Sequence, residues 1–345
     1  MAGAKKNHLL PVGKTIQNGQ LKIEKRLNEA GFTAEVYEGY LEHESGKIRV
    51  AVKAMKALEF SAARQLFAQE SETLAFLMHL EEEANREQGL SLKVAPVYYG
   101  RGDYENTPYF VMEFVRGKKI PQALQETKEG KFPESQALIA AWHLYRTLDI
   151  MHRRLKKTYI DLKFENLWWV EPNEKAPYGQ LKLTDFGTLE EIKPSDTQRR
   201  GVASDLLLAA VYFCKMATGY TPAYSLGELK RFEDLKKELQ KAQITWGAKI
   251  ELKRLLHRDP AQRPQDAGLI AARLRTLVDF WTLDPQKALN AARKALERAQ
   301  ADYDEKQELS QKGIEDAYRA KSAFEIIAIR APEIDISHEL ERLQT

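Results

Sequence analysis

Tyr159-Ile160-Asp161-Leu162-Lys163-Phe164-Glu165-Asn166, followed nineteen residues after Asn166 by Asp185-Phe186-Gly187, is the stretch that decides how this chain folds. Taken singly, Asp161 reads as a turn residue and Asp185-Phe186-Gly187 as the end of a hairpin, since aspartate and glycine are ordinary turn formers. Taken together, at this spacing, the two segments are not an accident of loop composition. Periodic apolar residues lie on both sides. Leu138, Ala141, Leu144, Leu148 and Met151 recur at helical spacing before the stretch, and the apolar run from Leu206 to Met216 follows it. The stretch is therefore a set of loops carried by a mainly helical half.

Upstream the pattern changes. Residues 1 to 20 read as a tail ending in the turn Asn18-Gly19, and then Leu21, Ile23, Val36, Tyr37, Val50 and Val52 mark short strands separated by Gly31 and Gly46. A helix is predicted from Ser61 to Leu80, with Phe67, Leu74 and Leu77 on one stripe. Two more strands are predicted near Val94 to Tyr99 and Tyr109 to Phe114, which makes a five-stranded antiparallel sheet with one helix. Downstream, helices are predicted over Ser204 to Ala217, Phe232 to Gln240, Ile250 to Leu256 and Asp266 to Phe280. Asp284-Pro285 opens a further helix with an apolar seam at Leu289, Ala292, Leu296, Ala299 and Tyr303, and Gly313 is expected to end it before a last helix.

The paired motifs resemble the catalytic loop and the Asp-Phe-Gly motif of protein kinases. Val50-Ala51-Val52-Lys53 resembles the kinase strand that presents a lysine to the nucleotide phosphates, and Tyr109 to Gly117 resembles the strand and hinge between kinase lobes. Ser204-Asp205 is similar to the helix start that braces the catalytic loop, and Arg258 to Pro264 to a late large-lobe motif. In order, these cover about Gln20 to Trp281, closest in feel to bacterial kinases. The resemblance implies an α+β, two-lobed protein-kinase-like fold: a small antiparallel sheet plus one helix, then a large mainly helical lobe, with a C-terminal helical extension. The expected boundaries are 1–20 tail, 21–117 N-lobe and hinge, 118–283 C-lobe and 284–345 extension.

What the resemblance implies for function is ATP- and Mg2+-dependent transfer of the γ-phosphoryl group to a protein hydroxyl. Asp161 would be the base, Lys163 would neutralise the transferred group, and Asn166 and Asp185 would hold the metal. Lys163 is similar to the serine/threonine form, so a serine or threonine acceptor is expected. Glu70 shares the stripe of Phe67, Leu74 and Leu77, so its carboxylate points inward and needs a cation, which Lys53 supplies; Glu72 faces solvent. The nucleotide-binding set is then Gly31, Val36, Ala51, Lys53, Glu70, Met112 as gatekeeper, the backbone of Glu113 and Val115, and Trp168.

Several positions depart from the family pattern. Leu27 to Tyr37 keeps one glycine, Gly31, with Ala34 at the third glycine position. Only seventeen residues, Thr188 to Ser204, separate Gly187 from Asp205, without Ala-Pro-Glu, so Arg263 is expected to find another acid, Glu190 and Glu191 being candidates, or to face solvent. Ile160 stands where the arginine that reads a phosphorylated loop usually stands, which disfavours Ser195 and Thr197 as switches despite Arg199 and Arg200 nearby. Trp168 replaces the aliphatic floor beneath adenine, where it would stack on the base, block it, or pack into the large lobe beside Trp169.

Composition sets outer bounds. With 345 residues, 43% hydrophobic, the chain is long enough for two lobes and an appendage. A formal charge of +3 gives no argument for nucleic acid. The single cysteine, Cys214, excludes internal disulfides and multi-cysteine zinc sites and reads as a buried thiol. The seven histidines show no pair at i, i+4. No signal peptide and no membrane span are evident, so a soluble, cytoplasmic protein is expected. Two rivals remain open, a pseudokinase scaffold and a kinase-like small-molecule phosphotransferase. The 284–345 helices are expected to dock on the large lobe, bind a regulator or self-associate.

Overall fold

Leu21, Ile23, Tyr37, Leu41, Val50 and Val52 are all buried, so the alternation in the first part of the chain places one face of a curled sheet on its own core. The structure, a computed structural model, describes residues 9–17, 19–28, 34–44, 46–56, 61–159, 162–174, 176–192, 201–225, 228–306 and 308–343. Its strands β1 (Thr15–Ile16), β2 (Leu21–Asn28), β3 (Ala34–His43), β4 (Gly46–Met55), β5 (Tyr98–Tyr104) and β6 (Thr107–Glu113) lie in the order β1-β2-β3-β4-β6-β5, all antiparallel. The sixth strand, β1, comes from the segment read as a tail. Leu10 is fully buried there, and the Leu9 amide donates to the Tyr37 hydroxyl at 2.9 Å.

Helix α1 (Ser61–Gln88) lies between β4 and β5 and runs eight residues past the predicted end at Leu80. The extra turns carry Glu81 and Asn85, which hold the following segment. Glu81 accepts the amides of Val94 and Ala95 at 3.0 and 3.2 Å, and Asn85 exchanges two hydrogen bonds with Leu92. With their amides turned to a side chain, Val94 and Ala95 form no strand, and β5 begins only at Tyr98.

The larger part begins with β7 (Lys118–Lys119), α2 (Ile120–Gln125) and α3 (Glu134–Ile150), the last buried along most of its length. Short strands β8 (Lys157–Tyr159), β9 (Leu167–Val170), β10 (Gln180–Leu183) and β11 (Leu189–Glu191) build two small sheets, β10-β9-β7 and β11-β8. They rest on α3 and on α4 (Val202–Thr218). After the ribbon β12 (Tyr224–Ser225) and β13 (Glu228–Leu229), helices α5 (Phe232–Lys241), α6 (Trp246–Leu255) and α7 (Ala267–Thr282) complete this unit. A curled antiparallel sheet with one helix, followed by a larger helical body, is the two-lobed α+β architecture expected.

Three helices follow: α8 (Pro285–Lys306), α9 (Gln311–Arg330) and α10 (Ser337–Arg342). Leu289, Ala292 and Leu296 of α8 are buried in one cluster with Ala320, Phe324 and Ile327 of α9, and Ala299 is buried as well, so the seam is filled within the chain; Tyr303 stays exposed. Gly313 does not end α8. It sits in the first turn of α9, where Ser310 caps the helix by accepting the Gly313 amide at 3.2 Å. α9 then seats on α6 and α7. A Cβ at Gly247 would come within 2.6 Å of Ser322 Oγ, so only glycine permits this approach. Trp246 N donates to Glu325 at 2.5 Å, and Arg273 bridges Glu251 at 2.7 Å and Glu315.

Candidate active site

β4 alternates, so Val50 and Val52 enter the sheet core while Ala51 and Lys53 face the larger lobe. On α1, Glu70 lies on the inward stripe and is 6% exposed. Lys53 Nζ donates to both carboxylate oxygens of Glu70 at 2.6 and 2.7 Å and lies 3.4 Å from Asp185 Oδ1. Burial pulls the Lys53 ammonium down, but the charges of Glu70 and Asp185 more than offset this and hold it above its ordinary value. Burial also raises the Glu70 carboxyl, with Lys53 opposing. Glu72 points away to Arg101 at the surface.

Asp185 has φ 70°, a left-handed conformation that costs a non-glycine residue energy and turns its half-exposed carboxylate into the cleft. Asn166 is held beside it, since its carbonyl accepts Thr184 N at 3.0 Å and Thr184 Oγ1 at 3.2 Å. The Tyr159 hydroxyl shares its one proton between the carbonyls of Thr184 at 2.7 Å and Asp185 at 2.5 Å, and its ring meets Phe186 edge-on at 5.9 Å. The motif loops are thereby pinned to each other by backbone bonds.

They are also pinned from below. Asp205 in the first turn of α4 is 2% exposed, and its Oδ2 accepts Tyr159 N at 2.9 Å and lies 2.8 Å from His152 Nε2. Tyr212, two turns on, donates to Leu162 O at 2.7 Å and stacks on Phe164 at 4.6 Å. Lys163 is exposed at the start of the 3₁₀ turn Phe164–Asn166.

Between the lobes lies a cleft of about 880 Å³. Its roof is Leu27, Ala34, Val36 and Ala51, its hinge side Met112, Glu113 and Val115, and its inner end Lys53, Glu70, Asn166 and Asp185. Trp168 forms part of the lining, whereas Trp169 is 1% exposed and packs on Phe132 in the large lobe. Strand alternation decides this: β9 turns Trp168 to the cleft and Trp169 away. Gly117 lets the hinge descend onto β9, because a Cβ there would sit 2.5 Å from Trp169 O. Thus Val36, Ala51, Lys53, Glu70, Met112, Glu113, Val115, Asn166, Trp168 and Asp185 share one cleft. Asp161 and Gly31 lie outside the described residues, as do Ile160, Ser195, Thr197, Arg199 and Arg200.

Residues 29–210 match the protein kinase domain model. This chain belongs to the protein kinase family. Similar proteins include the dual specificity protein kinase zakA of Dictyostelium discoideum, 32% identical over 92 residues, covering 27% of this chain and 11% of that protein. The serine/threonine-protein kinase PknA of Mycobacterium tuberculosis is 29% identical over 194 residues, covering 55% of this chain and 40% of that one. MAP kinase-activated protein kinase 2 of Drosophila melanogaster is 26% identical over 194 residues, covering 46% and 53%. The chain thus matches between 11% and 53% of the length of these relatives. Among the described residues no helix is long and apolar enough to cross a membrane.

Some residues of the site escape sequence reading. Arg263 donates to His257 O at 2.8 Å, closing its own turn, a role that no acidic partner in the sequence would have suggested. Lys182 on β10 is 4% exposed and reaches Glu113 on the hinge at 2.6 Å. Cys214 is buried, its thiol pushed up to about 12 by desolvation, which removes it from chemistry.

Proposed function

We propose that this chain is a serine/threonine protein kinase that uses ATP and magnesium. The observation that carries the reading is the joining of Lys53, Glu70 and Asp185 at the inner end of one cleft, with Asn166 tied to the same loop through Thr184. An 880 Å³ cleft with an apolar roof, and with Lys53 set between two carboxylates at its inner end, suits a purine base whose phosphate chain carries a metal ion.

In this reading Val36, Ala51, Met112 and Trp168 enclose the base, and the backbone of Glu113 and Val115 orients it. Lys53, fixed by Glu70, pairs with the phosphates. Asn166 and Asp185 offer the oxygen donors that a hard divalent cation takes, and they would hold magnesium, whose charge offsets that of the phosphates when bound. Asp161 takes the proton of a serine or threonine hydroxyl as its oxygen bonds to the γ-phosphorus; the bond from that phosphorus to the β,γ-bridging oxygen breaks and ADP leaves. Lys163 offsets charge on the transferred group. Gly31 would cover the phosphates from the small lobe. Positioning and electrostatics supply the rate.

The boundaries 1–20, 21–117, 118–283 and 284–345 are the proposed units, the first joined to the small lobe through β1, with a protein hydroxyl as acceptor and the last as the site of any regulator. A radiolabelled-ATP phosphotransfer assay on varied proteins, native against Asp185→Ala, tests the proposal. Label transferred by the native chain alone supports it. Equal silence, with no magnesium-dependent rise in melting temperature on adding ATP, would leave a nucleotide-blind scaffold. Label on a small metabolite but on no protein would point to a small-molecule phosphotransferase.

A further inference from the structure

Lys182 is a buried lysine that none of the chemistry above uses. On β10 it stands directly opposite Trp168 of β9, and directly opposed residues of an antiparallel pair project from the same face. That face therefore carries both a wall of the cleft and a cation. The cation crosses to the hinge: Nζ lies 2.6 Å from Glu113 Oε2 and 3.5 Å from Ala95 O.

Glu113 ends β6, where the chain leaves the small lobe. Its Oε2 also accepts Val97 N at 3.1 Å, and its own amide donates to Val97 O at 2.8 Å. Gln180 and Leu183, on either side of Lys182, bond to the carbonyls of Lys93 and Val94 at 2.5 and 3.0 Å. One strand of the large lobe thus grips residues 93–95 and the hinge acid together. Pairing of this quality offsets the desolvation of a buried ammonium, and removal of Glu113 would leave Lys182 with only Glu81 as an opposing charge.

We infer that Lys182 is a positioning residue that fixes the hinge backbone relative to Trp168, and so sets adenine-nucleotide affinity without contacting the nucleotide. The inference rests on the ATP reading of the cleft given above. A pair that only held the fold together would affect melting alone. A pair that sets the spacing between hinge and Trp168 affects affinity at unchanged chemistry.

The test is calorimetric titration of the full chain with MgADP, with melting curves, for the native protein, Lys182→Met, Lys182→Arg and Glu113→Gln. Lys182→Met is expected to bind MgADP about tenfold more weakly, a change of one decade in Kd. Lys182→Arg, which keeps a cation within reach of Glu113, should recover most of it. Glu113→Gln keeps an acceptor for Val97 N but weakens the pairing, and it provides the measurement if Lys182→Met does not fold. In phosphotransfer by the Lys182 variants, KM for ATP should rise while kcat stays within about threefold. Native-like MgADP affinity in the folded variants, whatever their melting temperatures, overturns the inference and leaves the ATP reading standing. A native chain that binds no MgADP overturns both.

Discussion

Trp168 and Lys182 are cross-strand partners on β9 and β10, one open to the cleft and the other 4% exposed beneath the hinge. An indole in the cleft lining presents a flat π surface where a purine can lie. Base–aromatic stacking is worth about 1–3 kcal/mol by alanine substitution. Trp168→Ala is therefore expected to weaken MgADP binding by about tenfold or more, and quenching of tryptophan fluorescence by added nucleotide should vanish with it. Unchanged affinity would remove stacking from the account, and tighter binding would show that the ring obstructs the base.

Lys53 and Glu70 make a prediction about both stability and activity. Lys53→Met leaves Glu70 buried without its cation, a change that costs about 3–5 kcal/mol when one partner of a buried pair is removed. The double variant Lys53→Met/Glu70→Met replaces the pair by apolar side chains, so most of the lost stability should return. Phosphotransfer should not return with it. Denaturant midpoints and label transfer on the three proteins separate the two contributions; recovery of activity in the double variant would refute the role given to Lys53.

Glu81 gives a pH dependence. Burial raises its carboxyl from 4.5 to about 7, opposed by the Val94 and Ala95 amides and by the charges of Lys182 and Arg146. Between those values the folded chain holds a proton that the unfolded chain has lost, so this group's contribution to stability falls as pH rises through the window. Glu81→Gln cannot ionise. Its melting temperature relative to the native protein should therefore climb from pH 5 to pH 8; a flat difference would mean that Glu81 is ionised throughout.

At the far end of the large lobe, Gly247 faces Ser322 with room for no further atom, the next neighbours of a Cβ being Leu277 Cδ2 at 2.9 Å and Ser322 Cβ at 3.0 Å. Gly247→Val is expected to destabilise the seating of α9 by about 1–3 kcal/mol, the range for overpacking a filled interior. Limited proteolysis should then cut between the large lobe and α8 while the nucleotide-induced rise in melting temperature remains. No change in cleavage would show that the helices can shift to admit the larger side chain.

Lys53 and Glu70 are legible in the sequence because an acid on an apolar helical stripe demands a cation, and Lys53 ends the segment that resembles the kinase lysine strand. Asn166 and Asp185 are legible because motif spacing is local and the loops keep it. Lys182 is not. Gln180-Leu181-Lys182-Leu183 alternates like a strand with one wet face, and nothing local reveals that residues 93–95 and Glu113 cover that face. The same segment defeats the strand predicted from Val94, because Glu81, thirteen residues earlier, withdraws its amides. Gly313 misleads for a related reason: glycine marks helix ends by conformation, but here it serves contact, a Cβ being excluded by Asp302. Long-range contact, rather than local preference, accounts for each difference.

Leu10, fully buried in the sheet core, and β1, paired along β2, extend the small lobe upstream of the matched region at residue 29. A chain trimmed to that match would lose β1 and β2 and bare a long row of unpaired amides and carbonyls on β3, with Tyr37 and Val50 uncovered beside it. Such an edge recruits other chains. The first property lost on trimming would then be colloidal, with sheet-to-sheet aggregation arriving before any fault in catalysis, and the unit to express starts well before the kinase signature does.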